Sequence, residues 1–158
     1  MDVLTQAGQK TIEDELRAQE IFESNFSDFK YVHTPKSRPA DVDAVVTYEG
    51  AVYGVVETKC RYDVDINEFN VKYQASWLVT LDKILKGKAI ADALCVPLVG
   101  FLYLKKSDVL LMETIYRDGN FIRKIVVENS RTQKTVNGGS IVRTNAFIDM
   151  SNAHVLRA

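Results

Sequence analysis

The segment 41–59 limits the fold more than any other part of the chain, because its pattern allows only two short strands and a tight turn. Residues Asp43–Tyr48 and Ala51–Lys59 are rich in Val and Tyr, which favour β-strands. Between them, Glu49 and Gly50 occupy the place where a two-residue turn requires positive φ. We therefore predict a β-hairpin.

This hairpin predicts a cluster of charged side chains at its open end. Side chains alternate across a strand, so Glu57 and Lys59 project from one face and Thr58 from the other. Counting outward from the turn brings Asp43 next to this pair. Carboxylate and carbonyl oxygens are the ligands that Mg²⁺ or Mn²⁺ accepts. We expect Asp43, Glu57 and the Thr58 carbonyl to bind such an ion and Lys59 to orient the attacking water.

The hairpin motif resembles the PD-(D/E)xK nuclease superfamily. Its nearest likeness is to Holliday-junction resolvases and related phage nucleases, in which an Asp opens one strand and the next strand reads Y-x-x-x-E-x-K. Here those positions are Asp43, Tyr53, Glu57 and Lys59. The resemblance implies a restriction-endonuclease-like core, a divalent metal cofactor and DNA as the substrate. The Pro-x-Asp element falls two residues early and leaves Asp41 as an alternative ligand.

Two further site residues are implied by the resemblance. A helix is predicted over Thr11–Asn25, with Thr11 as its N-cap, and a Glu of the first helix often joins the metal site in such nucleases. Glu13 is the first choice and Glu20 the second. Apolar spacing predicts another helix over about 67–86, in which the resemblance places Gln74 beside the active site.

The predicted nucleic-acid contacts are basic residues outside this motif. Residues 101–158 hold 9 Lys and Arg against 5 Asp and Glu, whereas residues 1–100 hold 11 against 16. A basic C-terminal part suits contact with phosphates. The candidates lie in the loop before the hairpin and on either side of an Asn-Gly-Gly turn: Lys36, Arg38, Arg131, Lys134 and Arg143. Lys83, near the end of the second helix, is predicted to face solvent.

The order of elements predicts an α/β protein in one domain. Further strands are expected at Cys95–Leu104, Val109–Ile115 and Phe121–Val127, with Gly87 ending the preceding helix. Helices would then cover a central mixed sheet. The core would span about residues 8–115, and a β-rich basic extension about 116–158.

The rest of the composition excludes several classes of function. Two cysteines far apart, Cys60 and Cys95, indicate neither a disulfide framework nor a zinc site. No apolar run reaches the length of a membrane span, and no signal peptide is recognised, so we expect a cytoplasmic protein. Neither a Walker lysine motif nor a Gly-rich dinucleotide fingerprint is present.

These observations predict a Mg²⁺- or Mn²⁺-dependent DNA nuclease. A homodimer would favour branched junctions over linear ends or single strands. Two other interpretations remain open: a nucleic-acid-binding module that keeps the fold without cleavage, and a structural protein in which the motif is an ordinary cross-strand ion pair worth about 0.2–1 kcal/mol.

Overall fold

A computed structural model of the chain describes residues 6–134 and 139–158. Its helices are α1 (Gln6–Asn25), α2 (Ile66–Val71) and α3 (Leu81–Leu94). Its strands are β1 (Phe29–His33), β2 (Ala44–Tyr48), β3 (Ala51–Arg61), β4 (Ser76–Thr80), β5 (Leu98–Leu104), β6 (Val109–Arg117), β7 (Asn120–Phe121), β8 (Ile125–Lys134), β9 (Ser140–Asp149) and β10 (His154–Leu156). A single 3-10 turn, Lys105–Ser107, joins β5 to β6.

The described strands form two sheets. The central sheet has seven strands in the order β1-β2-β3-β5-β6-β10, with β7 also paired to β6. It is mixed, because β3 and β5 run parallel while their other neighbours are antiparallel. A smaller sheet has the order β4-β9-β8. The predicted α/β class, with a central mixed sheet and flanking helices, is confirmed.

The predicted hairpin is confirmed as β2 and β3. Glu49 and Gly50 both have positive φ, 49° and 78°, which is the backbone of the turn type that matches strand twist. The register pairs Ala44 with Val56. The first residue of β2 therefore lies beside the part of β3 that carries Glu57.

Each face of the central sheet has its own hydrophobic core. On one face α1 packs with Ala18, Ile21 and Phe22 against β-strand residues that include Val56 and Phe101. On the other face α3 and the smaller sheet pack over residues that include Val55 and Leu102. Successive residues of β3 thus enter different cores, which is why this strand is buried on both faces.

A glycine in β5 lets the two sheets approach each other. A Cβ atom at Gly100 would overlap the ring of Trp77 and lie 2.8 Å from Ile115 Cδ1. Trp77, on β4, is 2% exposed. Its ring therefore occupies the space that a side chain at position 100 would need.

The chain between β3 and α3 differs from the prediction of one helix over 67–86. Gln74 and Ala75 have φ of 52° and 53°, so they form a left-handed turn that ends any helix. Residues Ser76–Thr80 instead pair with β9, and the expected apolar stripe is exposed at Val71. Pairing with a distant strand outweighed the local helical spacing. Gly87, predicted to end the helix, lies inside α3.

The C-terminal residues belong to the same core. Ile148 and Met150 are buried in the cluster that contains Val55, and β10 pairs with β6 at the edge of the central sheet. The strand predicted over Phe121–Val127 is interrupted and forms parts of β7 and β8. None of the helices in the described ranges is long and apolar enough to cross a membrane.

Replacing Gly100 by Ala should destabilise the protein, because the added methyl group would collide with the buried Trp77 ring. We expect a loss of about 1–3 kcal/mol in the free energy of unfolding, measured by urea denaturation. Gly54→Ala is the matched control, since the nearest atom to its Cβ would lie 3.5 Å away. Equal stability of the two variants would contradict the packing described.

Candidate active site

Asp43 and Glu57 are brought side by side by the pairing of β2 with β3. The Asp43 N–H donates to the Val56 carbonyl over 3.1 Å, one residue beyond the Ala44–Val56 pair. The Asp43 side chain then extends across the open end of β2, where Oδ2 accepts the Thr58 N–H over 2.8 Å. The predicted juxtaposition of these two carboxylates is confirmed.

Thr58 contributes backbone to this site, while its side chain faces the opposite core. Its Oγ1 lies 2.7 Å from the Tyr31 hydroxyl, and Tyr31 belongs to the cluster under α1. The N–H and C=O of one strand residue point to the same side. Because the Thr58 N–H meets Asp43, the Thr58 carbonyl also points to the gap beyond β2.

The Glu57 carboxyl group is buried beside a second acidic side chain. It is 5% exposed, and its Oε2 has no hydrogen-bond partner among the described residues. Burial and, second, the neighbouring Asp43 carboxylate raise the pKa of Glu57 to about 8, and the Lys83 ammonium partly offsets them. Both causes penalise a second negative charge here. A cation in contact with Oε2 would relieve that penalty.

The ammonium nearest to the pair is that of Lys83. Its Nζ lies 3.9 Å from Asp43 Oδ1 and 3.9 Å from Glu57 Oε2. Lys59, the predicted active-site lysine, is exposed, and it lowers the pKa of Glu57 by less than Lys83 does. Lys83 was predicted to face solvent, and its side chain is 36% exposed, but its ammonium also lies beside the two carboxylates, which was not predicted. If α3 had been predicted to begin at Leu81, Lys83 would have been placed on the helix face that packs on β3.

The donor set suits a small divalent cation only in part. The available oxygens are those of Asp43, Glu57 and the Thr58 carbonyl, and the unpartnered Glu57 Oε2 fits a cation ligand. In residues 6–134 and 139–158, however, no three His, Cys, Asp or Glu side chains lie close enough to hold a metal ion. A metal here would therefore keep several waters, as Mg²⁺ does.

The glutamates chosen from α1 do not join Asp43 and Glu57. Glu13 is exposed, and Glu20 lies 2.9 Å from Arg17. The α1 carboxylate that turns toward the site is Glu15, which lines the same groove as Asp43. Glu15 follows Glu13 by two residues and so lies on another helix face. Thr11, predicted as the N-cap, lies inside α1.

Gln74 does not occupy the place that was expected of it. The prediction put it in the helix after β3, whereas it lies in the left-handed turn between α2 and β4 and is exposed. The helix that faces the carboxylates is α3, which starts at Leu81. Lys83, not Gln74, is the polar side chain that this helix brings to the site.

A basic groove of about 540 Å³ opens beside Asp43. Lys36 and Arg38 line it from the loop before the hairpin, and Lys83 and Lys86 line it from α3. Lys36 Nζ is 2.7 Å from Glu15 Oε2. Asp41, the alternative metal ligand, is exposed and lies 3.7 Å from Lys86 Nζ.

A second groove, of about 570 Å³, continues past Lys83 to the β8–β9 hairpin. Arg143 lines it together with Lys83. Arg131 is exposed on the same hairpin, but it pairs with Val142 whereas Arg143 pairs with Ser130, so the two arginines project from opposite faces. Lys134 ends β8, and its side chain, like residues 135–138, lies outside the described part of the chain.

Glu57→Gln should change how stability depends on pH. The pKa of Glu57 is raised from 4.5 to about 8, so its effect on stability is most favourable below pH 4.5 and is lost as pH rises through 8. Because Gln does not ionise, the variant should gain roughly 2–4 kcal/mol over wild type above pH 8, with little change near pH 4. Urea denaturation across pH 4–9 measures this.

Glu128→Gln is the control for this substitution, since Glu128 is exposed. Its stability should follow that of wild type at every pH. A Glu57→Gln curve parallel to wild type would contradict the raised pKa.

Comparisons with protein-family models and with curated protein sequences find no match to this chain. What the site can do follows from the geometry of Asp43, Glu57, Lys59 and Lys83.

Proposed function

We propose that this protein is a Mg²⁺- or Mn²⁺-dependent DNA nuclease with a restriction-endonuclease-like core. The observation that carries the proposal is the pair of adjacent carboxylates, Asp43 and Glu57, with lysines beside them at the open end of a central hairpin. Leaving one Glu57 oxygen buried without a partner is costly. Ionisable groups in such unfavourable surroundings are frequent in active sites.

The proposed reaction is hydrolysis of a phosphodiester bond. Asp43, Glu57 and the Thr58 carbonyl would hold the metal, whose charge stabilises the phosphate and lowers the pKa of a coordinated water. Lys59 would orient the attacking water. The water oxygen forms a new bond to phosphorus and loses a proton, while one ester bond to phosphorus breaks and the departing sugar oxygen gains a proton.

Three basic side chains that line the two grooves support a nucleic acid as the substrate. Lys36 and Arg38 line the groove next to Asp43, and Arg143 lines its continuation beyond Lys83. The chain as a whole has a net charge of −1, so bulk charge does not attract DNA. A local basic path that ends at the carboxylates would guide a phosphate backbone to the site.

A second candidate function is nucleic-acid binding without cleavage. Lys83 lies within ion-pair distance of both carboxylates, so its ammonium offsets part of their negative charge. The two functions differ in one property: a binding module keeps its affinity for DNA in EDTA and cuts no substrate, whereas the nuclease cuts when a divalent ion is added.

Asp43→Asn should slow cleavage strongly, because it removes a metal ligand while keeping the hydrogen bond to Thr58. We expect the rate to fall by about 100-fold or more, and Lys59→Met to lower it comparably. Supercoiled, linear, single-stranded and four-way-junction DNA would be incubated with Mg²⁺, Mn²⁺ or EDTA. Asp118→Asn, at an exposed turn, is the control. A folded wild type that cuts none of these substrates would overturn the nuclease proposal.

Arg143→Gln should weaken DNA binding without affecting the fold, because the side chain is exposed. If Arg143 contacts one phosphate, the slope of log affinity against log salt should fall by about 1. Fluorescence anisotropy with a labelled oligonucleotide in EDTA measures it. Arg117→Gln is the matched control, since Arg117 is exposed but lies away from both basic grooves.

A further inference from the structure

Lys83 lies beside the two carboxylates and lines both grooves. We propose that Lys83 is a second active-site ammonium, supplied by α3, which contacts the phosphate group that is cleaved. The inference rests on the proposed nuclease function, and it adds a residue that the motif does not contain. Its support comes from the packing of α3 and from the contacts of Lys83 itself.

The packing of α3 fixes where Lys83 can reach. A Cβ atom at Gly87 would lie 2.8 Å from Leu98 Cδ1, so the absence of a side chain there lets the helix lie close to the central sheet. Lys83 and Gly87 are four residues apart and share a helix face. Ile84, next to Lys83, is completely buried. The stem of Lys83 therefore starts at the sheet surface, near Glu57.

The contacts of Lys83 leave its donors available. At 3.9 Å from both Asp43 Oδ1 and Glu57 Oε2, Nζ attracts the two charges but is too distant for a direct hydrogen bond to either. An ammonium has three N–H donors. A phosphate oxygen within reach of Nζ could accept these donors without replacing a hydrogen bond to either carboxylate.

Lys83 also lies where the two basic grooves meet. It lines the groove that contains Lys36 and Arg38 and the groove that contains Arg143, and its side chain is 36% exposed. A backbone that follows both grooves would pass over Nζ. Lys59 lines neither groove, so of the two lysines Lys83 is the better placed to meet the phosphate.

The other role open to Lys83 is that of a fixed counter-ion, which only neutralises Asp43 and Glu57. The two roles predict different behaviour once a divalent ion is bound. A counter-ion would then be redundant, and its loss would not slow cleavage. A phosphate contact would still be needed.

The experiment compares wild type with Lys83→Met, which keeps the length of the stem, and Lys83→Arg, which keeps the charge. Lys88→Met is the matched control, because Lys88 lies on the same helix but pairs with Asp92 and lines neither groove. Single-turnover cleavage is measured with saturating Mn²⁺. Mn²⁺ affinity is measured by electron paramagnetic resonance without DNA.

We expect Lys83→Met to cleave about 100-fold more slowly and Lys83→Arg to recover most of that loss. Lys88→Met should stay close to wild type. Lys83→Met should bind Mn²⁺ at least as tightly as wild type, because a competing cation has been removed.

Cleavage by Lys83→Met at the wild-type rate would overturn the inference while leaving the nuclease proposal intact. Weaker Mn²⁺ binding by Lys83→Met would also overturn it, since the slower cleavage would then reflect a damaged site. A wild type that binds Mn²⁺ and cuts no DNA would overturn both the inference and the proposed function.

Discussion

The hydrogen bond from the Thr58 N–H to Asp43 Oδ2 is the interaction on which the candidate site depends. It lies just before the first residue of β2, where β3 extends past β2 but stays paired with β5, so the Asp43 side chain replaces the missing β2 partner of Thr58. Satisfying that donor holds the Asp43 carboxylate beside Glu57, which is buried. Without it, repulsion between the carboxylates would separate them, and β3 would have an unpaired N–H inside the protein.

The surrounding structure holds the two carboxyl groups close together and places a cation beside them. β3 is paired on both sides, with β2 and with β5, so Glu57 has little room to move away. α3 brings Lys83 within 3.9 Å of both carboxylates, which offsets part of the cost of their burial. The close approach of α3 depends in turn on Gly87. Stability and the proposed chemistry thus depend on the same few contacts.

The smaller sheet links the C-terminal residues to this site. β9 pairs with β4, which leads directly into α3, so the position of Lys83 depends on strands formed almost at the end of the chain. The same hairpin presents Arg143 to the groove beside Lys83. If DNA binds as proposed, α3 connects the C-terminal hairpin, which contacts the DNA, with the site at Asp43, where the DNA is cleaved.

By itself the sequence determined the α/β class, the β2–β3 hairpin and the meeting of Asp43 with Glu57, because strand alternation and the Glu49-Gly50 turn are local properties of consecutive residues. Only the tertiary structure decided which helices face the site. The strand at Ser76–Thr80 exists because β9 supplies its hydrogen bonds, and a partner so distant in sequence leaves no local pattern to recognise. For the same reason Gln74 was expected beside the carboxylates, where Lys83 lies. Glu13 was expected there too, but the α1 residue that lines the groove beside Asp43 is Glu15, because the packing of α1 decides which helix face turns to the site.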